Sequence, residues 1–261
     1  MSAGSRGTSR DAMSGTKSHL PRLILAKIRT DGFVNVLRRA LRVLSCSFTR
    51  LIRDSYSQYG EDLVLDKLTG HSKTGVFIDV GAYHPQSKSN SYRFSRRGWT
   101  CINVEPSPAN FQGFVTIRPR DTNLLCGVSD HCGVMAFYEF DEPTRGTFSR
   151  KESEINAQNG YKHIATREIP VVTLQHLFDT HAPQGVDILS VDTEGHEMEV
   201  LNGNDWSRCR PRVLCIESYD ADERTLKRNR NVEVFERLAA AGYKLVYDNG
   251  TNTIWTDAQS A

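Results

Sequence analysis

Five short apolar segments, each ended or closely followed by an acidic residue, constrain the fold of this chain more than any other feature of its sequence. The first, Val76–Val80, is stopped by a tight turn at Gly81 and Ala82. Because segments with helical spacing separate these strands, the sequence predicts an α/β fold with a doubly wound, mostly parallel sheet. The carboxyl ends of parallel strands lie on one edge of such a sheet, so the acids are expected to converge there. They are Asp79, Glu105, Asp130, Asp192 and Glu217.

Periodicity and turn residues predict the other elements. Tyr56–Leu68 is expected to form a helix that Ser57 caps and Gly70 ends. The other parallel strands are predicted at Thr100–Val104, Asn123–Val128, Val186–Val191 and Arg212–Ile216, and further helices at Ser87–Arg97 and from about Asp222 to Ala241. The turn Asp248-Asn249-Gly250 between Tyr243–Tyr247 and Thr251–Trp255 predicts a hairpin that adds an antiparallel strand at one edge.

Two segments after the third strand are expected to serve the acceptor side. Val134–Phe140 alternates apolar and polar residues after a turn at Gly133, which predicts an antiparallel strand. Residues 141 to 168 are polar and are predicted to be an irregular substrate loop, because long loops in compact domains are usually functional or disordered.

The amino-terminal segment differs in charge from the rest of the chain. Residues 1 to 53 contain eleven Lys and Arg against Asp11 and Asp31, a net charge of +9, whereas the whole chain has +2. Residues 54 to 261 therefore carry a net charge of −7 and are predicted to form the main domain. Residues 1 to 18 are expected to be disordered, and Leu20–Ile52 has the spacing of a basic amphipathic helix. Such a helix packs on the domain, lies on an anionic membrane surface or serves as a targeting peptide.

The cysteines favour a reducing, cytosolic compartment. The chain has six, without a CxxC pair or a histidine at zinc spacing. Cys101, Cys126 and Cys215 fall in apolar segments, where a reduced thiol behaves as a small core residue. No apolar run approaches the roughly 18 residues of a membrane helix.

The turn after the first strand restricts the ligand class. It contains Gly81 but no G-x-G-x-x-G, which argues against a dinucleotide, and the chain has no G-x-x-x-x-G-K-[ST] for ATP. A rim of carboxylates suits a nucleoside with a cationic amino acid tail, which is the chemistry of S-adenosylmethionine. Glu105 lies 26 residues after Asp79, a spacing compatible with a carboxylate that holds ribose hydroxyls.

Seven motifs in order resemble the FkbM family of S-adenosylmethionine-dependent methyltransferases, over about residues 56 to 219. They are YSQYGEDL (56 to 63), FIDVGAYHP (77 to 85), SNSYRF (89 to 94), GWTCINVEPSP (98 to 108), GVSD (127 to 130), IPVVTL (169 to 174) and SVDTEGHEMEVLNG (190 to 203). The resemblance implies a Rossmann-like class I methyltransferase fold that transfers a methyl group to a hydroxyl, commonly on a sugar or a polyketide.

The resemblance also assigns cofactor residues. Asp79, Gly81 and Ala82 are expected at the methionine end, Glu105 at the ribose, and Ser129 with Asp130 beside the adenine. The full predicted cofactor set is Gln58, Asp79, Gly81, Ala82, Tyr83, Glu105, Pro106, Ser129, Asp130 and Asp192. The single glycine after Asp79 departs from the richer glycine run of many class I enzymes.

The acceptor hydroxyl must lose a proton during transfer, so a base is expected near the methyl group. His196 is the first candidate, because its ordinary pKa lies near neutral pH, and Glu194 and Asp192 are its rivals. A histidine on the first turn of a helix is also often merely solvated. The alternative is that Asp192 and Glu217 bind Mg²⁺, because they offer hard oxygen donors at adjacent strand ends.

These patterns predict an O-methyltransferase that acts on a hydroxyl of a sugar, a glycan or a glycosylated metabolite. Tyr138, Phe148, Tyr161 and His163 in or near the polar loop offer the mixture of flat apolar faces and hydrogen-bonding groups that sugars need. The alternatives are a non-catalytic Rossmann-like binding module and a methyltransferase that acts on a lipid or polyketide hydroxyl. No nucleic-acid partner is expected. The protein is expected to be cytosolic, with residues 20 to 53 in contact with a membrane surface.

Overall fold

A computed structural model of the protein describes residues 55–222 and 227–259. The strands there are β1 (Val76–Val80), β2 (Thr100–Val104), β3 (Thr122–Leu124), β4 (Gly127–Ser129), β5 (Gly133–Phe140), β6 (His163–Thr173), β7 (Ile188–Val191), β8 (Val213–Glu217), β9 (Tyr219–Asp222), β10 (Lys227–Arg230), β11 (Tyr243–Asp248) and β12 (Asn252–Asp257). The α-helices there are α1 (Glu61–Leu68), α2 (Tyr92–Arg97), α3 (Pro108–Ile117), α4 (Arg150–Gln158), α5 (Leu174–His181), α6 (Glu197–Asn202) and α7 (Val232–Ala240).

The central element is a seven-stranded sheet with the order β11-β12-β8-β7-β1-β2-β3. Its strands β3, β2, β1, β7 and β8 are parallel, and β12 is antiparallel to both β8 and β11. The predicted doubly wound, mostly parallel sheet is therefore confirmed, with the carboxyl-terminal hairpin at its β8 side. This order reverses direction between β1 and β7, which is where open α/β sheets bind ligands.

Apolar residues on both faces of the sheet are buried, as a doubly wound fold requires. Phe77 on β1 packs in the core layer that contains Leu65 and Phe94. The adjacent Ile78 packs in the opposite layer, which contains Leu177 and Phe178. Successive residues of a strand point to opposite faces, so a single apolar run supplies both cores. The sheet thus holds the β1 and β7 ends rigidly in place.

The predicted third strand is wrong as a single element. Only Thr122–Leu124 joins the central sheet, and Gly127–Ser129 belongs instead to a second sheet with the order β4-β6-β5. The chain therefore leaves the central sheet at Leu125 and Cys126. The expected antiparallel strand at 134–140 is confirmed, because β5 pairs with β6 in antiparallel fashion.

The segment 141–168 is not an irregular loop. It contains a 3-10 turn (Pro143–Arg145), helix α4 and the first half of β6. Ser149 caps α4 by accepting a hydrogen bond from the Glu152 amide. We call residues 141–162 the β5–β6 insertion; it is an ordered connection between two paired strands.

The predicted long helix from Asp222 to Ala241 is also wrong in its first half. Residues 219–222 and 227–230 form the antiparallel pair β9–β10, and α7 begins only at Val232. The Asn231 side chain accepts from the Val234 amide and fixes that start. Two predicted helices are shorter than expected, α1 by its first turn and α2 by its first five residues.

The expectations for residues 1 to 53 lie outside the described residues. Within 55–222 and 227–259, none of the helices combines the length and apolarity that a bilayer crossing requires.

Candidate active site

A cavity opens at the carboxyl ends of β1, β2 and β7, where the fold predicts a ligand site. Its lining residues come from the segments after these strands, from β4 and from the β5–β6 insertion. They are Gln58, Asp79, Val80, Gly81, Ala82, Tyr83, Lys88, Asn90, Val104, Glu105, Pro106, Asn110, Cys126, Gly127, Val128, Phe137, Pro143, Thr144, Gly146, Phe148, Asp192, Thr193 and Glu194.

The turn after β1 brings two loops into contact through Gly81. Its φ is +77°, and a Cβ at this position would lie 1.8 Å from the Asp192 carbonyl oxygen. The Gly81 and Ala82 amides both donate to the Val104 carbonyl, at 3.0 and 3.1 Å. Only glycine satisfies both the backbone conformation and the close approach, so this position fixes the distance between the β1 and β7 ends.

Asp79, next to the last residue of β1, is a buried carboxylate. The residue is 4% exposed, and within residues 55–222 and 227–259 its Oδ2 has no hydrogen-bond partner. Burial raises the pKa of Asp79, and hydrogen bonds from Ser91 and Ser190 together with the Arg118 charge oppose that rise. A buried, unpartnered carboxylate oxygen beside a cavity is costly unless a ligand supplies a donor.

Glu105 ends β2 and faces the same cavity. Its carboxylate accepts from the Tyr83 amide at 2.8 Å, the Ser107 amide at 2.9 Å and Asn110 Nδ2 at 3.3 Å. Burial raises the pKa of Glu105 to about 7, against the effect of these hydrogen bonds. Tyr83 adopts a left-handed φ of 55°, a conformation that aims its amide at Glu105. A carboxylate has about four lone-pair positions, so acceptor capacity remains for a ligand.

Three carboxylates meet at the ends of β7 and β8. Asp192, Glu194 and Glu217 each offer an oxygen, and these oxygens lie within 4.8 Å of one another. Burial is the larger cause and repulsion from neighbouring acids the smaller one; together they raise the pKa of Asp192 to about 7 and that of Glu194 to about 8. Burial and the Asp192 charge raise the pKa of Glu217 as well. At neutral pH this cluster holds protons that ordinary surface acids would have released.

The loop that carries Glu194 is held in an unusual conformation. Glu194 has a φ of 52°, which non-glycine residues rarely adopt. Glu197 accepts from the Thr193 and Gly195 amides at 2.9 and 3.2 Å, and Thr147 Oγ1 donates to the Glu194 carbonyl at 2.9 Å. A loop fixed from both sides in a strained conformation is typical of functional sites.

The β5–β6 insertion is joined to the Glu194 loop by charge as well as by this hydrogen bond. Arg145 Nη1 lies 3.4 Å from Glu194 Oε2, and the Arg145 charge lowers the pKa of Glu194 against burial. Phe148 closes the wall of the cavity and packs on Phe137 with ring centroids 4.9 Å apart. The insertion therefore both shapes the cavity and restrains an acid inside it.

Most predicted site residues lie together in the cavity wall. These are Gln58, Asp79, Gly81, Ala82, Tyr83, Glu105, Pro106, Asp192 and Glu194. Glu217 lies behind Asp192 in the acid cluster. Of the aromatic residues expected at the acceptor side, Phe148 lines the cavity, and Tyr138, Tyr161 and His163 do not.

His196, Ser129 and Asp130 are not among the residues that line the cavity. His196 is 4% exposed, its Nε2 lies 3.1 Å from Ser129 Oγ, and burial lowers its pKa. Its ring packs on that of Phe148, a residue of the cavity lining, with the ring centroids 5.7 Å apart. Asp130 faces away and contacts His131 Nδ1 at 2.6 Å. His196 thus joins α6 to β4, whereas Asp192 and Glu194 line the cavity.

Sequence reasoning missed several lining residues. Cys126, Gly127 and Val128 line the cavity, whereas the neighbouring Ser129 and Asp130 do not. The sequence signal for this part of the lining was Gly127. The structure requires a glycine there, because a Cβ would lie 2.4 Å from the Phe148 ring. Asn90 was present in a quoted motif without an assigned role, and its Nδ2 donates to Ser190 Oγ at 3.0 Å.

The sheet order, the antiparallel β12 and the acid-lined cavity at the β1 end define a Rossmann-like domain of the class I methyltransferase type. Residues 79–245 match the family described as the methyltransferase FkbM domain. The chain therefore belongs to the FkbM methyltransferase family, as the resemblance in its motifs implied.

Solved structures of methyltransferases are similar at low identity. An FkbM methyltransferase from Methylobacillus flagellatus aligns with a TM-score of 0.44 and 14% identity, over 70% of this chain and 44% of that one. The present chain thus corresponds to less than half the length of that protein. A TehB-like SAM-dependent methyltransferase from Corynebacterium glutamicum aligns with a TM-score of 0.40 and 11% identity, over 82% and 96% of the two chains. A search of curated proteins returns no match.

Proposed function

We propose that the protein is an S-adenosylmethionine-dependent O-methyltransferase that acts on a hydroxyl of a sugar, a glycan or a glycosylated metabolite. The observation that carries this proposal is the pair of carboxylates Asp79 and Glu105, which line one cavity at the carboxyl ends of the paired strands β1 and β2. Membership of the FkbM methyltransferase family supports the same activity.

The two carboxylates match the two ends of the cofactor. Asp79 lines the cavity, and its carboxylate suits the ammonium group of the methionine tail, which would donate to it. Glu105 retains acceptor capacity for the two ribose hydroxyls, and Cys126, Gly127 and Val128 offer small surfaces to the adenine. A dinucleotide would need a phosphate-binding glycine-rich helix start, which this turn lacks.

Methyl transfer requires the acceptor oxygen to attack the methyl carbon in line with the departing sulfur. The carbon–oxygen bond forms as the carbon–sulfur bond breaks, and the sulfur keeps the electron pair. The hydroxyl proton passes to the ionised form of Asp192 or Glu194, which line the cavity; a raised pKa makes that ionised form a stronger base than an ordinary carboxylate. His196 is not assigned this role here, because it is not among the residues that line the cavity.

A sugar hydroxyl is the acceptor that the cavity wall suits best. Around the β5–β6 insertion, the cavity wall combines the flat faces of Phe148 and of Phe137 on β5 with the polar groups of Thr144 and of Glu194 after β7. Sugars are bound by this combination of ring stacking and hydrogen bonds, whereas a lipid or polyketide hydroxyl would favour a continuous apolar wall. The insertion is therefore the element that selects the acceptor.

A divalent cation is the second candidate feature of the acceptor side. Asp192, Glu194 and Glu217 form a set of hard oxygen donors at one place, which fits Mg²⁺. Such an ion would lower the pKa of a hydroxyl bound to it. Mn²⁺ binding measured by electron paramagnetic resonance tests it, with Glu217→Gln as the variant and Glu154→Gln on α4 as the exposed-acid control. Binding that Glu217→Gln leaves unchanged, or activity that EDTA leaves unchanged, argues against the ion.

Calorimetry with S-adenosylhomocysteine tests the cofactor. We expect binding by the wild type, and weaker binding by Asp79→Asn and Glu105→Gln. NADH binding without S-adenosylhomocysteine binding would contradict the proposal.

The acceptor is tested with glycan extracts and radiolabelled S-adenosylmethionine. Label should enter sugar hydroxyls, and Phe148→Ala should change the acceptor profile. Labelling of only protein, nucleic acid or amines would refute the sugar assignment. If Asp192→Asn and Glu194→Gln leave transfer unchanged, their role as bases fails. If no acceptor is labelled although cofactor analogues bind, the protein is a non-catalytic binding module.

A further inference from the structure

The buried face of β5 contains a charged residue, Glu139, that has no part in the mechanism above. Met135, Phe137 and Glu139 share one face of the strand, because side chains alternate between the two faces. Phe137 is 3% exposed and Glu139 is 8% exposed, and Met135 and Phe137 pack in the apolar core of the second sheet. A carboxylate at such a position is costly to desolvate, so it needs strong hydrogen-bond partners.

Two donors from different parts of the chain compensate this carboxylate. Arg167 Nε on β6 contacts Glu139 Oε2 at 2.6 Å. The Ser107 hydroxyl donates to Glu139 Oε1 at 3.2 Å. Ser107 follows β2 of the central sheet, whereas Glu139 lies on β5 of the second sheet. The contact between them therefore joins the second sheet to the segment that carries Glu105.

Ser107 is the N-cap residue of α3, but its hydroxyl does not cap this helix. At an N-cap position, a serine hydroxyl normally accepts a hydrogen bond from an amide of the first turn. Among the described residues of α3, none of the first-turn amides donates to the Ser107 side chain. The hydroxyl instead serves the contact with Glu139, outside its own helix.

The other polar groups at the start of α3 are turned to Glu105. The Ser107 amide donates to Glu105 Oε1 at 2.9 Å, and Asn110 Nδ2 donates to the same oxygen at 3.3 Å. In a capping box, the side chain at the position of Asn110 would reach back to the Ser107 amide. Here both donors hold Glu105, a residue of the cavity lining. Because Glu139 holds the side chain of Ser107, it restricts the movement of the amide that fixes Glu105.

From this arrangement we propose that Glu139 is a positioning residue for the ribose site: by holding the Ser107 hydroxyl, it keeps the Ser107 amide on Glu105 Oε1 and so fixes the orientation of the Glu105 carboxylate. The inference rests on the proposed function, because it takes the ribose hydroxyls of S-adenosylmethionine as the partners of Glu105. It gives an acid of the second sheet a part in the recognition of the cofactor.

The test compares two nucleosides that differ only in the ribose hydroxyls. 5′-Methylthioadenosine carries both hydroxyls, and its 2′,3′-dideoxy analogue lacks them. Calorimetry gives the ratio of the two affinities, and the wild type should prefer 5′-methylthioadenosine. In Ser107→Ala and in Glu139→Ala we expect this ratio to fall about threefold or more, because Glu105 is no longer held in the orientation that accepts from both hydroxyls. The affinity for the dideoxy analogue should stay near that of the wild type.

Three further variants separate positioning from stability. Glu139→Gln keeps a hydrogen-bond partner for Ser107 in either orientation of the amide, so it should keep the wild-type ratio. Combining Ser107→Ala with Glu139→Ala should lower the ratio no further than either substitution alone, because both remove one contact. Ser149→Ala is the matched control, since it removes a serine hydroxyl that does cap its helix, α4. It should lower the urea midpoint of unfolding and leave the ratio unchanged.

An unchanged ratio in Ser107→Ala would overturn the inference, and this variant decides the question even if Glu139→Ala fails to fold. Equal falls in Glu139→Gln and Glu139→Ala would also contradict it, because the effect would then come from the charge of Glu139 and not from its hold on Ser107. A wild type that binds S-adenosylhomocysteine but does not distinguish the two nucleosides would refute the role of Glu105 at the ribose. A wild type that binds none of these ligands would refute the proposed function itself, so the failures are distinguishable.

Discussion

At the scale of single residues, Gly81 is the tightest constraint on the site. The Gly81→Ala substitution combines a positive φ with a Cβ placed 1.8 Å from the Asp192 carbonyl. We expect it to lower the free energy of unfolding by more than about 2 kcal/mol and to abolish cofactor binding, because the β1 and β7 loops must separate.

Gly250→Ala is the matched control for this variant. Gly250 has nearly the same φ, +75°, and a Cβ there meets nothing within 4 Å. Gly250→Ala should lower the free energy of unfolding by only about 1 kcal/mol, the conformational cost of a positive φ, and should keep its cofactor affinity. Urea unfolding and calorimetry measure both effects, and equal losses in the two variants would show that the contact with Asp192 has no role.

Glu105 gives the cavity a pH dependence at the same scale. Its pKa is raised to about 7 by burial, and the ionised carboxylate is the stronger acceptor for ribose hydroxyls. A nucleoside that binds the ionised form should therefore bind about tenfold more tightly at pH 8 than at pH 6. 5′-Methylthioadenosine is the appropriate ligand, because it carries the nucleoside but lacks the amino acid tail that Asp79 is proposed to bind.

Calorimetry over this pH range checks the effect. Glu105→Gln should bind weakly at both pH values, without the slope. A slope that survives this substitution would assign the titration to another group.

At the scale of elements, the docking of the β5–β6 insertion on the Glu194 loop is the contact to test. Thr147 is fully buried, and its hydroxyl donates to the Glu194 carbonyl and accepts from the Ser149 amide, each at 2.9 Å. Thr147→Val keeps the shape and leaves both backbone groups without their partner, so we expect a loss of about 1 to 3 kcal/mol in unfolding free energy. Turnover should fall because Glu194 loses its fixed position, whereas cofactor affinity should stay within twofold.

Thr116→Val on the exposed face of α3 is the control for this loss. Its hydroxyl donates only to the Gln112 carbonyl, so stability should change by about 0.5 kcal/mol or less and turnover should not change. Unaltered turnover in Thr147→Val would mean that the insertion does not position Glu194.

The elements also show why some predictions succeeded and others failed. The parallel strands were predictable because runs such as Val76–Val80 are apolar at four of their five positions, as is typical of strands buried on both faces. The break between β3 and β4 was not, because Leu124, Leu125 and Cys126 continue the apolar run while the backbone turns to pair with β6. That single change removes Ser129 from the rim of the central sheet.

The place of His196 outside the cavity lining has a related reason. Its position at the start of α6 was readable from the sequence, but the direction of its ring depends on where β4 lies. Gly203 at the end of α6 lets this helix approach β4 closely, since a Cβ there would lie 2.3 Å from the Ser129 carbonyl. His196 is thereby directed to Ser129 and not to the cavity. Contacts of this kind come from tertiary packing and leave no local pattern.

At the scale of the whole molecule, the uneven charge predicts a contact with anionic membrane surfaces. We propose that residues 20 to 53 hold the protein at such a surface while residues 54 to 261 carry the active site. The first 53 residues have a net charge of +9 and the remainder −7, so attraction to anionic lipid must come from the amino-terminal segment. Each Lys or Arg near an anionic surface contributes about 1 kcal/mol, and the attraction is screened by salt.

Sedimentation with phosphatidylserine-containing vesicles tests this at low and high salt. The full chain should sediment at low salt and stay in solution at high salt. The triple substitution of Arg38, Arg39 and Arg42 by Gln should weaken the low-salt binding by about 3 kcal/mol at most, since three charges are removed. The control removes the same charge from exposed arginines of the main domain, Arg120, Arg150 and Arg208, and should sediment like the wild type. Equal weakening in both triple variants would show that net charge alone governs the binding. If neither salt nor substitution of Arg38, Arg39 and Arg42 reduces sedimentation, the attraction is not electrostatic and the proposal is wrong.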